Sequence, residues 1–296
     1  MHVSASDVAS KVSSAFDFSV DKFPLSGPEG MRTDQYGLFR SDTGYLNGIK
    51  SVASGYVPHQ TEDVLALVDA ASEAFDGEID IDCHFRNGHY VSIKPTKQER
   101  LSIYSQNDNI WPRVLINAGY DGKAFRATMG YYRDACRNLH WMRLVNGTTV
   151  GISHTSGLRS QMDDLIATFN TLKDSWGTLS DVIQNLESRE VQMVDFLNEI
   201  YPQPEADASK RAVTVHKDRT EAIVKRLQSE RFRTGRDPMT SSFEVSAWEA
   251  FNAIQGYVQH DAQSKTGFKG EFDRILRASR DANVRKAESL VMALVA

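Results

Sequence analysis

The chain of 296 residues holds two cysteines, Cys83 and Cys136, and no CxxC pair. That scarcity excludes a disulfide framework and a structural zinc site, and it fits a reduced cytosolic setting. No apolar run approaches the roughly 18 residues that a membrane span needs. The best candidate, Leu290 to Ala296, stops after seven residues. The first 20 residues lack a basic start followed by an apolar block, so no secretory leader is expected. A GxxxxGK[ST] loop, a GxGxxG after a strand and an HExxH helix are missing, as is any His/Cys cluster at metal-ligand spacing. No catalytic residue, metal or cofactor is therefore expected, and no internal repeat or low-complexity tract interrupts the chain.

What is present describes an ordinary globular protein, 41% hydrophobic and 25% charged, long enough for one sizeable domain or two. The formal net charge of −5 is unevenly distributed. Residues 1–98, 99–160, 161–206 and 207–296 carry nets of −6, +4, −7 and +4. An acidic total thus conceals two basic stretches, as expected of a confined anion-binding channel on a body that repels polyanions. Lysines and arginines that merely decorate solvent faces would give the same sums.

The periodicities predict an α+β fold. Residues 1–45 read as a weak helix and then a loop-rich segment, because Pro24, Gly27, Pro28, Gly30, Gly37 and Gly44 crowd residues 20–45. Thr61 is the expected cap of a helix with Val64, Leu67, Val68, Ala71 and Phe75 on one face, ended by Gly77. The period then changes to two: Ile79, Ile81, Cys83 and Phe85 alternate with polar residues, which marks a strand with one buried face. A three-residue turn at Asn87-Gly88-His89 would set Phe85 opposite Val91 and Cys83 opposite Ile93, with Gly88 at positive φ. Further strands are expected at 101–104, 113–117 and 125–129, which makes residues 46–156 an antiparallel sheet domain.

From Gly157 the pattern turns helical, defining a third region over 157–296. Leu158, Met162, Leu165, Phe169, Leu172, Trp176, Leu179, Ile183 and Leu186 follow 4-3 spacing over four heptads. Phe169, Trp176 and Gly177 suit an intramolecular helical hairpin better than a dimer zipper, although oligomerisation through this helix stays open. Pro202 and Pro204 close that region, and amphipathic helices are expected at about 220–231, 243–261 and 271–294.

Cys136 and His140 lie four apart and would share a helix face, but no third group orients them. His154 stands beside Thr155 and Ser156, a loop neighbourhood in which catalytic arrangements are rare. Asp80 and Asp82 read as the wet side of a strand. Asn146-Gly147-Thr148 matches a glycosylation acceptor that has no secretory signal to give it meaning.

The stretch from 113 to 143 has a more specific texture. Arg113, Lys123, Arg126, Arg133, Arg137 and Arg143 interleave with Trp111, Tyr120, Tyr131, Tyr132, His140 and Trp141, against only Asp121 and Asp134. Guanidinium groups neutralise phosphates, and aromatic faces stack on unpaired bases at about 1–3 kcal/mol each, so the mixture suits a single strand better than a duplex. Tyr120, Tyr132 and Trp141 are the stacking candidates. Others among these aromatics belong to the core, with arginines at its rim. A second basic cluster, Lys225, Arg226, Arg231, Arg233 and Arg236, precedes Asp237-Pro238 and reads as a mobile arm able to close over a strand.

Four runs stand in order along the chain: Val114-Leu115-Ile116-Asn117, Tyr120-Asp121-Gly122, Cys136-Arg137-Asn138 and Ile152-Ser153-His154-Thr155. With the later segment from Ser246 to Ile254, followed by Tyr257 and His260, they resemble a family of phage and plasmid proteins of formerly unknown function. The resemblance spans about Gly37 to Leu294. Within the family, the branch from lytic phages includes a single-stranded DNA-binding cofactor of a phage RNA polymerase. The resemblance implies a fold that is not an OB barrel, binding of single-stranded DNA, and a part in phage middle transcription and DNA replication in the infected bacterial cytoplasm. It assigns no binding residues. Three other readings stand beside it: a single-strand annealing or recombination protein, a helical interaction scaffold, and a nucleic-acid enzyme using Cys136, His140 or His154.

Overall fold

The computed structural model describes residues 10, 12–45, 51–75, 79–84, 90–95, 101–102, 108–120, 125–133, 139–141, 149–152, 154–238, 243–262, 278 and 281–295. Helices and antiparallel sheet combine in an α+β fold, and no sheet among the described residues closes into a barrel. Contacts divide the chain into two compact units. The first comprises 1–99, 112–130 and 147–175; the second comprises 100–111, 131–146 and 176–296. This grouping does not follow the expected boundaries near 45 and 156, because strands and one long helix pass from one unit to the other within an element.

In the first unit, residues 20–45 form strands where a loop-rich segment was expected. Strand β1 (Val20–Ser26) pairs antiparallel with β2 (Arg32–Arg40), and β3 (Gly44–Tyr45) and β4 (Val52–Ala53) also pair with β2. The prolines and glycines that suggested loops sit where strands tolerate them. Pro24 lies on the edge strand β1 beside a register shift, so its missing N–H interrupts no central ladder. Pro28 and Gly30 make the turn, with Gly30 at φ +79°.

Helix α1 (Thr61–Ala74) buries Val64, Leu67, Val68 and Ala71 as its spacing predicted. The cap is Gln60 rather than Thr61. The Gln60 N–H donates to Asp63 Oδ2 at 2.8 Å, while the Gln60 amide exchanges two hydrogen bonds with the backbone of Val20. Thr61 is inside the helix, its hydroxyl donating to the carbonyls of Phe16 and Phe18.

Strands β5 (Ile79–His84) and β6 (Tyr90–Pro95) form the expected antiparallel pair with Ile79, Ile81, Val91 and Ile93 buried. The register differs from expectation: Cys83 faces Val91 and Ile81 faces Ile93. A slip of two residues keeps the buried face buried, so alternation alone does not penalise it. The turn, Phe85 and Gly88 included, lies outside the described residues.

One short strand, β7 (Leu101–Ser102), precedes two long ones. Strands β8 (Asn109–Asn117) and β9 (Phe125–Arg133) follow; β6 pairs antiparallel with β8, and β11 (Thr149–Ile152) with β9. Strand β10 (Leu139–Trp141) also neighbours β9. His140 is therefore on a strand, which removes the shared helix face proposed for Cys136 and His140; Cys136 itself lies outside the described residues.

Helix α2 (Leu158–Glu187) carries the whole heptad seam, and the division between units falls at Ser175/Trp176 within it. Leu158 and Met162 are buried in the first unit, and Leu179, Ile183 and Leu186 in the second. Both ends of the seam are thus covered by their own chain and offer no surface for a zipper.

The second unit continues with β12 (Glu190–Gln192), α3 (Met193–Ile200), α4 (Lys210–Arg233), β13 (Glu244–Ser246), α5 (Ala247–Gly256) and α6 (Ala282–Met292). Strands β12 and β13 pair antiparallel, a two-strand link too short to show in the periodicity. Helix α5 is wholly buried, with the polar Glu249, Asn252 and Gln255 set among its apolar residues. Ser246 caps it in a capping box with Glu249. Its last turn, Tyr257–Asp261, widens, closing with a bond from Ala262 N–H to Tyr257 O at 2.7 Å.

Candidate nucleic-acid interface

Helix α4 starts cleanly because Ser209 accepts from the Ala212 N–H at 3.2 Å, and it ends at a glycine in the left-handed region, Gly235, φ +75°. Ile223, Leu227 and Glu230 form its buried face. A buried carboxylate on the same face as Ile223 and Leu227 is costly unless paired. Glu230 Oε2 lies 3.7 Å from Arg133 Nη1 and Glu230 Oε1 lies 3.5 Å from Arg226 Nη1. Burial pushes its carboxyl above the usual range, and the positive charges of Arg133, Arg226 and Arg233 oppose that push.

Arg133 is the hub of this network. It grips Asp108 with two parallel hydrogen bonds of 2.8 Å, and the two side chains are 2% and 0% exposed. Its guanidinium carbon also lies 5.9 Å from the ring centre of Trp248. Arg226 extends the network outward by a bidentate pair with Asp261, at 2.5 and 3.0 Å. A neighbouring group anchors the end of the helix: Glu249 Oε1 lies 3.3 Å from Arg231 Nε and 2.9 Å from Arg236 Nη1, and Glu187 Oε2 lies 3.9 Å from Arg236.

The outer side of α4 differs. Lys225 and Arg233 are exposed, eight positions apart, with Ser229 midway. Neither cation forms an ion pair with a described carboxylate; the Arg233 Nε donates to the Ser229 carbonyl at 3.3 Å. Together with Ala222, Arg226, His260 and Asp261 they line a cleft of about 560 Å³. The widened turn after α5 is what brings His260 and Asp261 to it. This arrangement can bind anions: two cations outside any ion pair with a described carboxylate, a hydroxyl and an imidazole surround a pocket whose third cation, Arg226, is compensated by Asp261.

The structure sorts the sequence candidates unequally. Lys225 and Arg233 meet at the cleft with Arg226 beside them. Arg231 and Arg236 are held by Glu249 and Glu187, which corrects the expected mobile arm: the helix continues to Arg233 and its end is pinned. Arg133 is corrected too, since a side chain 2% exposed and shared between Asp108 and Glu230 presents no surface to a phosphate.

Tyr120 is likewise unavailable for stacking on a base. It is buried, its ring stacked on His59 at 4.1 Å and 7°, and its hydroxyl donates to the His59 carbonyl at 2.9 Å. Burial, with Tyr56 nearby, raises its phenol above the ordinary range. Arg113 on β8 and Tyr132 on β9 are half-buried. Arg126 is on β9 opposite Gly151, and Trp141 is on β10, with neither side chain described. Lys123, Arg137 and Arg143 lie outside the described residues. His154 belongs to the first unit's core, stacked on Tyr56 at 4.6 Å with its Nδ1 donating to the Val57 carbonyl at 3.1 Å.

Sequence reasoning missed Ser229, His260 and Asp261. The four-residue spacing of Lys225, Ser229 and Arg233 was the available signal for Ser229; nothing local predicted the widened turn. Several residues behind the family resemblance prove to be structural, whereas His260 lines the cleft. Ser246 caps α5, Trp248 is fully buried, Asn252 bonds the Trp248 carbonyl at 2.7 Å, and Asn117 accepts from the Gly119 N–H.

Fold and site together define an α+β protein with a basic cleft on one helix. The chain belongs to the family designated DUF932, a domain of unknown function, whose model matches residues 49–291. No curated protein and no solved structure matches the chain.

Proposed function

We propose that the protein binds single-stranded DNA with little regard to sequence and acts as a cofactor of a phage-encoded RNA polymerase in middle transcription and in phage DNA replication, in the cytoplasm of an infected bacterium. The basic cleft on α4 carries the binding part of this reading: Lys225 and Arg233 are exposed cations without a described carboxylate partner, set along one helix face. The polymerase and replication parts rest on the resemblance to Drc, the single-stranded DNA-binding RNA polymerase cofactor of lytic N4-related phages. The protein performs no catalysis in this reading.

Filter binding with oligothymidylate and with a duplex of equal length, at several salt concentrations, tests it. Single strands should be preferred, and log affinity should fall with log salt by about 0.7 per phosphate neutralised. The double variant Lys225→Glu/Arg233→Glu should bind at least tenfold more weakly and lose roughly 1.4 from that slope. Equal binding of both DNAs by the unaltered protein, or a slope near zero, would overturn the reading. Middle-promoter transcription by the phage polymerase, with and without the protein, tests the cofactor role.

A further inference from the structure

We infer that Phe232 is the platform on which an unpaired base stacks, and that it sets the preference for single strands over duplex. The inference rests on the single-strand reading above and adds the specificity element that the basic cleft lacks, since cations alone hold any phosphate backbone.

Phe232 is 75% exposed, the most exposed large hydrophobic side chain among the described residues. Isolated exposed apolar residues are common. The position of this one is what distinguishes it. At about 100° per residue, Lys225, Ser229 and Phe232 fall within roughly 60° of the helix circumference, with Arg233 beside them. Lys225 precedes Phe232 by two turns, roughly 10 Å along the axis. A strand whose phosphates lie against Lys225, Ser229 and Arg233 therefore passes a free aromatic face.

The backbone that carries the ring is also held in place. The Gly235 N–H donates to the Phe232 carbonyl at 3.2 Å, and the Arg236 N–H donates to the Arg231 carbonyl at 2.8 Å, the two bonds of a glycine-closed helix end. Glu249 fixes Arg231 and Arg236 on either side. Phe232 consequently projects from a fixed backbone, and little ordering is needed when a base arrives. Stacking on one ring requires an exposed base face, which a duplex interior does not offer, and it tolerates any base. The core gives no competing reason for a phenylalanine here: α4 buries Ile223 and Leu227, on the opposite side of the helix.

The test compares Phe232→Ala, Phe232→Tyr and the Lys225→Glu/Arg233→Glu variant in oligothymidylate and duplex binding across a salt series. Phe232→Ala should weaken single-strand binding about tenfold, leave duplex binding unchanged and leave the salt slope unchanged, because it removes a ring and no charge. Phe232→Tyr should restore binding. An unchanged urea midpoint in Phe232→Ala would show that the loss is not one of folding. If the unaltered protein prefers single strands and Phe232→Ala prefers them equally, this inference fails and the proposed function survives. A salt slope reduced by Phe232→Ala, or no rescue by tyrosine, also overturns the inference. If the unaltered protein shows no single-strand preference, the proposed function fails first.

Discussion

The two sides of helix α4 use the same residue types for opposite ends. Inward, Arg226 and Glu230 join Arg133, Asp108 and Asp261 in a network in which every named charge faces an opposite charge. Outward, Lys225 and Arg233 face solvent with no described carboxylate partner, and Phe232 stands between Arg231 and Arg233 with 75% of its surface exposed. In a low-dielectric interior a lone charge is prohibitive, so the inner arginines are committed to carboxylates. At the surface an unpaired cation costs almost nothing and remains available to a ligand. Charge type therefore says little about use, and so does helical phase, since Arg226 and Arg233 lie seven positions apart on nearly the same face; the carboxylates within reach of Arg226 make the difference.

That contrast is open to attack in order of expected effect. Arg133→Ala should be the most damaging change, lowering stability by about 3–5 kcal/mol, because it strands the buried Asp108 without its counter-charge and leaves Glu230 with Arg226 alone. A urea midpoint that moves by less than about 1 kcal/mol would show that water reaches the site and would return Arg133 to the outward class.

Glu230 gives the second probe. Its raised carboxyl means that the folded state holds the proton more tightly than the unfolded chain does. Its contribution is fully present below the unfolded glutamate value, about pH 4.3, and is lost as pH rises through the higher folded value. Urea midpoints between about pH 4 and pH 7 should thus fall less steeply in Glu230→Gln than in the unaltered protein. An identical slope in both proteins would mean that the arginines outweigh burial.

The smallest effect belongs to the exposed face. Lys217 and Glu221 make an i,i+4 pair at 3.7 Å with side chains 71% and 65% exposed. Lys217→Ala should change stability by no more than about 0.5 kcal/mol. A loss comparable with that of Arg133→Ala would erase the distinction between the two faces.

Much of the secondary structure was legible in the sequence. The 4-3 spacing predicted α2 and the apolar stripe predicted α1, because burying one helix face imposes a period near 3.6. Alternation predicted β5 and its buried face, yet missed the register by two residues, since side chains repeat every second residue and such a slip costs no burial. The hairpin of residues 20–40 was misread from its prolines and glycines, whose tolerance depends on whether a strand is an edge. The site was less legible. Lys225 and Arg233 were recognised as basic, but their separation from Arg226, Arg231 and Arg236 required partners distant in the chain. Arg133 meets Asp108 25 positions away, and Tyr120 meets the carbonyl of His59 61 positions away.

By itself the sequence determined the α+β character, the helical seam, the lack of an apolar stretch long enough to span a membrane and the presence of two basic stretches. Each of these follows from composition or local period. Only the tertiary structure decided which basic residues are spent on the core and which remain free, which aromatic is stacked away beneath His59 and which is left bare at a helix end. The reason is physical: desolvation and ion pairing depend on what lies within a few ångströms, and those neighbours arrive from far along the chain.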